Sequence, residues 1–513
     1  MLETIKAIPN RVKILLLFFL LALAGFYVML PGQLFSAPTS YVLEDADGVL
    51  LNATIAKDGQ WRFPYNENIP EKFITCITSF EDNRFFDHPG MDLIAIVRAA
   101  KKNINGGRQG ASTITMQVTR LALNNNKRTV WNKIKESILA LRLEFGYSKK
   151  QILSLYASQA PFGSNVVGLD AAAWRYFGRA PYKLSWAEMA TLAVLPNAPS
   201  LVHPGKNRQS LLEKRNRLLA QLLHSGKMSK QDYSLALQED LPQKPLPLPQ
   251  DAPHLLQRFA KEHAGEYSKA KSTIQFSLQQ NVNKIIQQRQ QQYKGNGINN
   301  ICALVLDVET GNALAYSGNS YDSGNSDIQS DVDIIAAPRS PGSALKPFLY
   351  AAMMGDGILL PHSLVPDIPT QIAGYTPQNF DKDFDGAVEA SMALSRSLNV
   401  PAVRLLQQYK YQRFYETLKQ VGITTLNNPA DHYGLSMILG GCEVNMWQLA
   451  GAYASMARII NHDERNKGKI LSPDIHAPQY LDSRVKNGKE INFPFDAVSI
   501  YFTLQAMQEV MRP

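Results

Sequence analysis

The sequence EDNRFFDHPG at residues 81–90 is the strongest single indication of the fold. It closes a helical pattern over residues 71–86, in which an apolar stripe ends at Thr78 and Glu81 takes the next position on the same face. The pattern therefore predicts a helix whose carboxylate points inward. Because burial disfavours the charged form, we expect a raised pKa for Glu81, which suits proton abstraction near neutral pH. The alternative is a helix-end glutamate paired with Arg84.

A second stretch, GASTITMQ at residues 110–117, is small and rich in hydroxyl groups and leads into a helix. Such a turn offers backbone N–H groups and hydroxyls to phosphate oxygens. It is followed by a basic cluster, Lys127, Arg128, Lys133, Lys135, Arg142, Lys149 and Lys150. This cluster is either an anion-binding surface or a solvated face.

A third stretch, SPGSALKPF at residues 340–348, opens an apolar helix with Ser343 at its N-terminus and Lys346 three positions on, on the same face. The helix dipole opposes a cation at that end, so we expect Lys346 to have a lowered pKa and to accept the Ser343 proton. A serine three residues before a lysine is common by chance. The pair gains weight from Ser397-Leu398-Asn399 further along the chain.

The first two stretches resemble the peptidoglycan glycosyltransferases, the lysozyme-like polymerase domains of bifunctional (class A) penicillin-binding proteins. The resemblance implies a mainly α domain with Glu81 as catalytic base. It also implies substrate contacts from Asp82, His88, Ser112, Thr113, Gln117, Lys133, Glu136 and Lys149. The family has a second acid where this chain has Ser154 and an Asn where it has Ser158. Met116 and the stretch 58–62 are similar to the 1C subgroup of the family.

The third stretch together with Ser397-Leu398-Asn399 resembles the motif set of penicillin-binding transpeptidases and class A β-lactamases. The resemblance implies an α/β (α+β) domain whose catalytic residues are Ser343, Lys346, Ser397 and Asn399. The third motif of the set, Lys-Thr-Gly, does not occur. Its nearest imitation, Lys486-Asn487-Gly488, lies in a polar stretch that indicates a turn. Since the sequence stops at Pro513, we expect this domain to be incomplete at its C-terminus.

Length and composition limit the class of protein. At about 150 residues per domain, 513 residues suggest roughly three units. Hydrophobic residues at 45% and charged residues at 19% exclude wholesale disorder and a polytopic membrane protein. The formal net charge of +9 fits nucleic acid, anionic lipid or a phosphate-bearing substrate. Three widely separated cysteines encode neither a disulfide framework nor a CxxC metal site.

The N-terminus carries the signs of a membrane anchor. The apolar run over residues 14–30 reaches about 26 Å as a helix, the lower limit for a bilayer span. Basic residues precede it and only acidic ones follow closely, so the positive-inside rule puts residues 1–13 in the cytoplasm and the rest outside. The alternative is a signal peptide cleaved near Ala22-Leu23-Ala24.

Patterning divides the remainder of the chain. Residues 41–64 alternate and turn like a small β element, and residues 65–240 are mainly helical and form the glycosyltransferase domain. Five prolines make residues 241–253 an extended linker. The transpeptidase domain then covers residues 254–513 and contains a β-hairpin over 301–317.

Together these features predict a multidomain peptidoglycan synthase, single-pass in the bacterial inner membrane with its catalytic domains outside the cytoplasm. As partners the resemblance implies lipid II, nascent glycan strands and stem peptides, with β-lactams as inhibitors and no nucleic acid, and the apolar run adds the membrane. The resemblance requires no certain cofactor, and magnesium for glycosyl transfer stays open. One alternative is a β-lactam or peptide sensor or scaffold without turnover. Another is a lytic glycosidase, weakened because Ser154 is not the second carboxylate that hydrolysis needs.

Overall fold

The computed structural model describes residues 11, 14, 25–27, 32–104, 110–124, 129–197, 207–320, 328–372, 374–481 and 488–510. The chain divides into two compact units. The first comprises Met1–Leu43, Asn52–Gln250 and His263–Lys269, and the second Glu44–Leu51, Asp251–Glu262 and Ala270–Pro513.

The predicted membrane anchor lies almost wholly outside the described residues. Of the predicted span 14–30 only residues 14 and 25–27 are described, and of the predicted tail 1–13 only residue 11. Within the described ranges, no helix combines the length and the apolar character that a bilayer crossing demands. Lys486 and Asn487, the first two residues of the nearest imitation of Lys-Thr-Gly, also lie outside the described residues.

Most of the regular structure is helical. The helices up to residue 262 are α1 (Glu71–Glu81), α2 (Leu93–Ile104), α3 (Ile114–Ala122), α4 (Val130–Gly146), α5 (Lys149–Gln159), α6 (Leu169–Phe177), α7 (Trp186–Val194), α8 (Arg208–His224), α9 (Lys230–Gln238) and α10 (Pro253–Glu262). Those that follow are α11 (Phe276–Tyr293), α12 (Lys346–Gly355), α13 (Ala390–Ser395), α14 (Asn399–Tyr409), α15 (Tyr411–Gln420), α16 (Ala430–Tyr433), α17 (Met446–Asn466) and α18 (Ala497–Gln508).

The strands are short. They are β1 (Val42–Glu44), β2 (Leu50–Ala53), β3 (Trp61–Arg62), β4 (Val166–Val167), β5 (Lys269–Lys271), β6 (Ala303–Leu306), β7 (Ala313–Ser317), β8 (Leu364–Asp367) and β9 (Gly386–Glu389). The strands predicted between residues 41 and 64 are thus present as β1 to β3. Residues 241–252 contain neither helix nor strand, in agreement with their four prolines. The fifth proline of the predicted linker, Pro253, is the first residue of α10.

Helix α1 is shorter than predicted, because it ends at Glu81 and not at residue 86. Asp82 caps it with φ −158° and ψ 78°, outside the helical region. Its carboxylate binds the His88 ring and the Ile114 N–H, and these bonds draw the chain away from the helix axis. Helix α1 therefore ends at Glu81, the candidate catalytic base.

The core of the first unit surrounds α1 and α3. Helix α1 packs against α7 and α8, and α3 packs against α4 and α5. The loop after α1 crosses α4 at Gly90, whose φ is +92° and where a Cβ would lie 2.8 Å from the Ala140 carbonyl oxygen. Only glycine fits both the backbone conformation and this close approach.

The second unit is built around α12, whose residues from Lys346 to Met353 are all buried. The helix packs against α18 and α14. The predicted hairpin is confirmed, since β6 and β7 pair antiparallel with Leu304 opposite Tyr316. A second antiparallel pair, β8 and β9, places Val365 opposite Val388.

Candidate active sites

The first candidate site is built at the C-terminal end of α1. Glu81 Oε2 accepts a hydrogen bond of 2.8 Å from Gln117 Nε2, and its Oε1 one of 3.4 Å from Asn197 Nδ2. Burial raises the pKa of Glu81 from its usual value, although the two amide donors and the charge of Arg120 oppose the rise. The predicted direction is confirmed. The alternative pairing of Glu81 with Arg84 is wrong, because Arg84 forms its ion pair with Asp92.

Three of the predicted substrate contacts form one network beside Glu81. His88 Nε2 lies 3.0 and 3.1 Å from the two carboxylate oxygens of Asp82. Lys149 Nζ donates to the His88 carbonyl at 2.6 Å and to Glu144 Oε1 at 2.7 Å. Each polar group named in these contacts is held by another protein group. The network thus fixes the loop that follows the candidate base.

The hydroxyl-rich turn enters α3 as predicted, with Thr113 as its N-cap. The Thr113 hydroxyl accepts from the Met116 N–H at 3.1 Å and donates to the Gly90 carbonyl at 2.6 Å. Ser112 precedes this cap and is half-buried, and Gln117 faces Glu81 from the first turn of α3. Ser112 and Gln117 are only partly buried, whereas Thr113 and Thr115 of the same stretch are buried.

Lys133 and Glu136, the two substrate contacts predicted on α4, lie in different environments. Lys133 is exposed, whereas Glu136 is buried and accepts from Arg120 Nε at 3.3 Å. Arg120 was missed at the sequence level, although it lies three residues after Gln117 on α3 and so shares its face. It is the cation whose charge acts on Glu81.

The positions where the family has an acid and an Asn carry no charge here. The Ser154 hydroxyl donates to the carbonyls of Lys150 at 3.0 Å and Glu67 at 3.2 Å. Ser158 accepts from the Asn66 N–H at 3.4 Å. No three His, Cys, Asp or Glu side chains of the described part of the chain stand close enough together to hold a metal ion. The serines at these two positions therefore add no carboxylate to the site.

Tyr156 on α5 is a further residue of the first site that sequence reasoning missed. Its hydroxyl is buried and has no hydrogen-bond partner among the described residues. Burial raises the pKa of Tyr156 well above its ordinary value, and the charge of Glu81 adds to the rise. The tyrosine is thus a neutral neighbour of the candidate base.

The second candidate site joins three predicted residues through one ammonium group. Lys346 Nζ donates to the Ser397 carbonyl at 2.6 Å, to Ser397 Oγ at 3.2 Å and to Asn399 Oδ1 at 2.8 Å. Burial lowers the pKa of Lys346 to about 8, which is the predicted direction. Ser343 is exposed in the 3-10 helix Gly342–Leu345, directly before α12. Ser343 therefore lies three residues before Lys346 in the chain, while the hydrogen bonds of the Lys346 ammonium group go to Ser397 and Asn399.

Asn379 supports this site and was missed at the sequence level. It is buried, and its Oδ1 accepts from the N–H groups of Asn399 at 2.9 Å and Val400 at 3.2 Å. Its Nδ2 donates to Asp367 Oδ1 at 2.8 Å. Because Asn379 holds the first turn of α14, it orients Asn399 towards Lys346. No local pattern marks it, since its partners lie far away in the sequence.

The loop that precedes Ser343, residues 340–342 (the nucleophile loop), contacts Gly440. Gly440 follows the 3-10 helix Gly434–Leu439 with φ +94°, and its carbonyl accepts from the Ser340 hydroxyl at 2.8 Å. A Cβ at Gly440 would lie 2.7 Å from the Gly342 nitrogen and would also collide with Ser340 Oγ. The position of the residue before Ser343 therefore depends on this contact.

Two family models match the chain and between them contain both sites. The transglycosylase model matches residues 48–223, and the model of the penicillin binding protein transpeptidase domain matches residues 301–510. The chain therefore belongs to the penicillin-binding proteins that join a helical transglycosylase domain to an α/β transpeptidase domain. The predicted family and the predicted pair of a mainly α domain and an α/β domain are confirmed, whereas the predicted anchor helix lies almost wholly outside the described residues.

Individual penicillin-binding proteins are also similar to this chain. Penicillin-binding protein 1C of Escherichia coli (strain K12) is 34% identical over 463 residues, which cover 89% of this chain and 59% of that protein. Penicillin-binding protein 1F of Bacillus subtilis (strain 168) is 31% identical over 412 residues, covering 76% of this chain and 56% of that protein. This chain thus spans somewhat more than half the length of these relatives. The solved penicillin-binding protein 1A of Haemophilus influenzae covers 89% of this chain and 73% of its own, at 18% identity and a TM-score of 0.44.

Proposed function

We propose that this protein is a membrane-anchored bacterial peptidoglycan synthase with two activities. The first unit polymerises lipid II into glycan strands, and the second cross-links stem peptides that end in D-Ala–D-Ala. Its relatives are penicillin-binding proteins by name, and both family domains are present. β-Lactams would therefore acylate the second site.

In the glycosyl step, Glu81 takes the proton from the 4-hydroxyl of the acceptor sugar. The freed oxygen attacks the anomeric carbon of the lipid-linked chain, and the bond from that carbon to the pyrophosphate breaks. The leaving pyrophosphate gains negative charge, which Arg120 and the exposed Lys133 can offset. Gln117 orients the Glu81 carboxylate through its 2.8 Å hydrogen bond.

In the acyl step, neutral Lys346 accepts the proton of the Ser343 hydroxyl while Oγ attacks the carbonyl of the penultimate D-Ala. The peptide bond breaks, and the terminal D-Ala leaves with a proton on its nitrogen. An amine of a neighbouring stem peptide then attacks the acyl-enzyme, forms the cross-link and restores Ser343. Ser397 and Asn399 hold the Lys346 nitrogen in place for both proton transfers.

One observation carries the proposal: each site holds a buried ionisable group whose pKa is moved towards neutrality. Burial raises the pKa of the acid Glu81 and lowers that of the base Lys346 to about 8. Such paired shifts are what general acid–base chemistry near pH 7 requires.

A membrane location is supported by the surface of the first unit. Helices α2 and α4 expose an unusual number of large apolar side chains, namely Leu93, Ile94, Val97, Ile104, Val130, Trp131, Ile134 and Phe145. Exposed apolar groups in such density mark surfaces that meet lipid or protein. With the apolar run at residues 14–30 and a net charge of +9, they fit a chain held at an anionic bilayer with its catalytic units on the outer side.

The proposal is tested with lipid-linked disaccharide-peptide in detergent and with a fluorescent penicillin. We expect the wild-type chain to make long glycan and to be labelled covalently, and Ser343→Ala to lose the label. Absence of polymer from an otherwise folded chain would overturn the first activity. Labelling that persists in Ser343→Ala would overturn the assignment of the nucleophile.

A further inference from the structure

Asp367 on β8 is a buried carboxylate that the two steps above do not use. It is 1% exposed, and both of its donors are uncharged: Oδ1 accepts from Asn379 Nδ2 at 2.8 Å and Oδ2 from the Asp385 N–H at 3.0 Å. Burying a carboxylate beside neutral groups costs more free energy than burying an amide of the same shape. The carboxylate differs from the amide in that both of its oxygens can only accept hydrogen bonds. This difference decides how Asn379 is oriented.

The Asn379 amide can lie in one direction only. Its Nδ2 donates to Asp367 and, at 3.0 Å, to the Asp383 carbonyl, and neither of these groups can donate in return. Its Oδ1 therefore faces the other way, where it accepts from the N–H groups of Asn399 at 2.9 Å and Val400 at 3.2 Å. Asp367 thus helps to fix which end of the Asn379 amide meets the first turn of α14.

Residues 378 and 379 hold Asn399 at two points. The Asn379 oxygen binds its backbone N–H, and the Gln378 carbonyl accepts from its side-chain Nδ2 at 2.9 Å. Since a carbonyl only accepts, the Asn399 amide turns its Oδ1 away from Gln378, and this oxygen accepts from Lys346 Nζ at 2.8 Å. Each step from Asp367 to Lys346 is therefore either a hydrogen bond of fixed direction or a covalent link along the chain.

The direction of the Asn399 amide matters for the acyl step. Neutral Lys346 has two N–H groups and one lone pair, and the Ser397 carbonyl and Asn399 Oδ1 can each take one N–H. The lone pair is then left for a hydroxyl proton, as acceptance of the Ser343 proton requires. An Asn399 amide turned the other way would donate from its Nδ2 to that lone pair and block it.

We propose that Asp367 is a positioning residue for acyl transfer, which acts through Asn379 and the Gln378 carbonyl to keep the oxygen of the Asn399 amide, and not its NH₂ group, on Lys346. The inference rests on the proposed function, whose acyl step uses Lys346 as the base. Because the effect passes through other groups, it depends on the direction of the bond between residues 367 and 379 and not on a carboxylate at position 367 as such.

Exchanging the two side chains tests the direction of this bond. In Asp367→Asn, the new NH₂ group must face either the Asp385 N–H or Asn379 Nδ2, so two donors meet. When Asn379→Asp is added, the same NH₂ group donates to the carboxylate at position 379, which still accepts from the first turn of α14. We expect the single variant to be labelled by fluorescent penicillin at least about tenfold more slowly than the wild type at pH 9. The double variant should recover to within about threefold of the wild type, since only the Asp383 carbonyl loses its donor.

The pH profile of labelling separates positioning from a loss of stability. In Asp367→Asn, the Lys346 ammonium group loses the Asn399 oxygen and a nearby negative charge, and both losses lower the pKa of Lys346. We therefore expect the midpoint of the profile to move down from about 8 by about 0.5–1 pH unit, while the rate at high pH falls because the lone pair is blocked. In the double variant the charge is kept, so the midpoint should return to about 8 or above. Partial unfolding would reduce the amount labelled without moving the midpoint.

Asp356→Asn is the matched control, because it removes one carboxylate from the same unit at the C-terminal end of α12, where Asp356 pairs with Arg413 at 2.6 Å. It should change neither the rate nor the midpoint. Thermal unfolding of every variant at each pH gives the folded fraction to which the rates refer. A rate at pH 9 within about threefold of the wild type in Asp367→Asn would overturn the proposal. A double variant that is no faster than the single variant would also overturn it.

The wild-type chain separates this inference from the proposed function. If labelling of the wild type is absent, or persists in Ser343→Ala, the proposed function of this unit fails. If the wild type is labelled at Ser343 and Asp367→Asn matches it in rate and midpoint, only the positioning role of Asp367 is wrong.

Discussion

The pKa values of Glu81 and Lys346 are both shifted by burial. Each is largely removed from water, which disfavours its charged form, and each keeps only neutral hydrogen-bond partners close by. The partners of Glu81 are amides, and those of Lys346 are a carbonyl, a hydroxyl and an amide oxygen. An ion pair in either place would have moved the pKa the other way.

We predict that Glu81→Gln abolishes glycan formation without unfolding the chain. Glutamine keeps the size of the side chain and removes only the proton acceptor, and loss of a general base typically costs about 10²- to 10⁴-fold in rate. The measurement is polymer formed per minute from lipid-linked substrate. Glu213→Gln, an exposed glutamate on α8, is the matched control and should polymerise normally. Activity within about threefold of wild type in Glu81→Gln would assign Glu81 to structure.

A second residue-scale prediction concerns pH. Lys346 must be neutral to accept the Ser343 proton, and burial lowers its pKa to about 8. The neutral fraction of Lys346 therefore grows as the pH rises through about 8. Well below that pH, we expect each fall of one pH unit to slow acylation about tenfold. The measurement is the rate of penicillin labelling between pH 6 and 9, with thermal unfolding followed at each pH as a control for folding. A rate that is flat or falls over this range would show that Lys346 is not the base.

At the scale of elements, the loop before Ser343 packs closely on Gly440, which follows the 3-10 helix Gly434–Leu439 and accepts a hydrogen bond from Ser340. We predict that Gly440→Ala slows penicillin labelling at least about 100-fold, because the added Cβ would push Gly342 and so move Ser343. Gly422→Ala is the matched control, since its φ of +95° is nearly the same but nothing lies within 4 Å of its Cβ position. Both variants should lose about 1–3 kcal/mol of stability from the positive φ. Equal labelling rates would show that the contact does not position Ser343.

The apolar surface of α2 and α4 gives another prediction at this scale. Trp131 is 64% exposed on α4, whereas Trp447 is buried and Trp61, Trp174 and Trp186 are half-buried. With phosphatidylglycerol vesicles whose acyl chains carry bromine, we expect quenching of tryptophan fluorescence that Trp131→Phe largely removes. Trp186→Phe should retain it. Quenching that survives in Trp131→Phe would mean that this surface does not meet the bilayer.

At the scale of the whole molecule, each candidate site is made entirely from residues of one unit. We therefore predict that the two activities can be removed separately. Ser343→Ala should polymerise glycan at the wild-type rate, and Glu81→Gln should be labelled by penicillin at the wild-type rate. The two assays are run on the same preparations. Loss of both activities in either variant would contradict the assignment of one site to each unit.

The candidate residues themselves could be predicted from the sequence, because they lie in short segments. The catalytic candidates and the Thr113 cap come from runs of ten residues or fewer. The hairpin of β6 and β7 also follows from a local alternation around one turn. Such patterns depend on backbone geometry and neighbouring side chains, so they can be recognised in a sequence without knowledge of the fold. Resemblance to a family then supplied roles that spacing alone could not.

The partners of those residues were decided only by the tertiary structure. Asn197 reaches Glu81 across 116 positions of sequence, and Lys346 meets Asn399 across 53. The early end of α1 depends on the Ile114 N–H, which is 32 residues from Asp82. In each case the bond exists because packed helices bring distant segments within 3.5 Å, and no local pattern encodes that distance. Residue types and their local spacing therefore establish which groups can react and where helices begin, whereas packing sets the burial of those groups, their hydrogen-bond partners and hence their pKa.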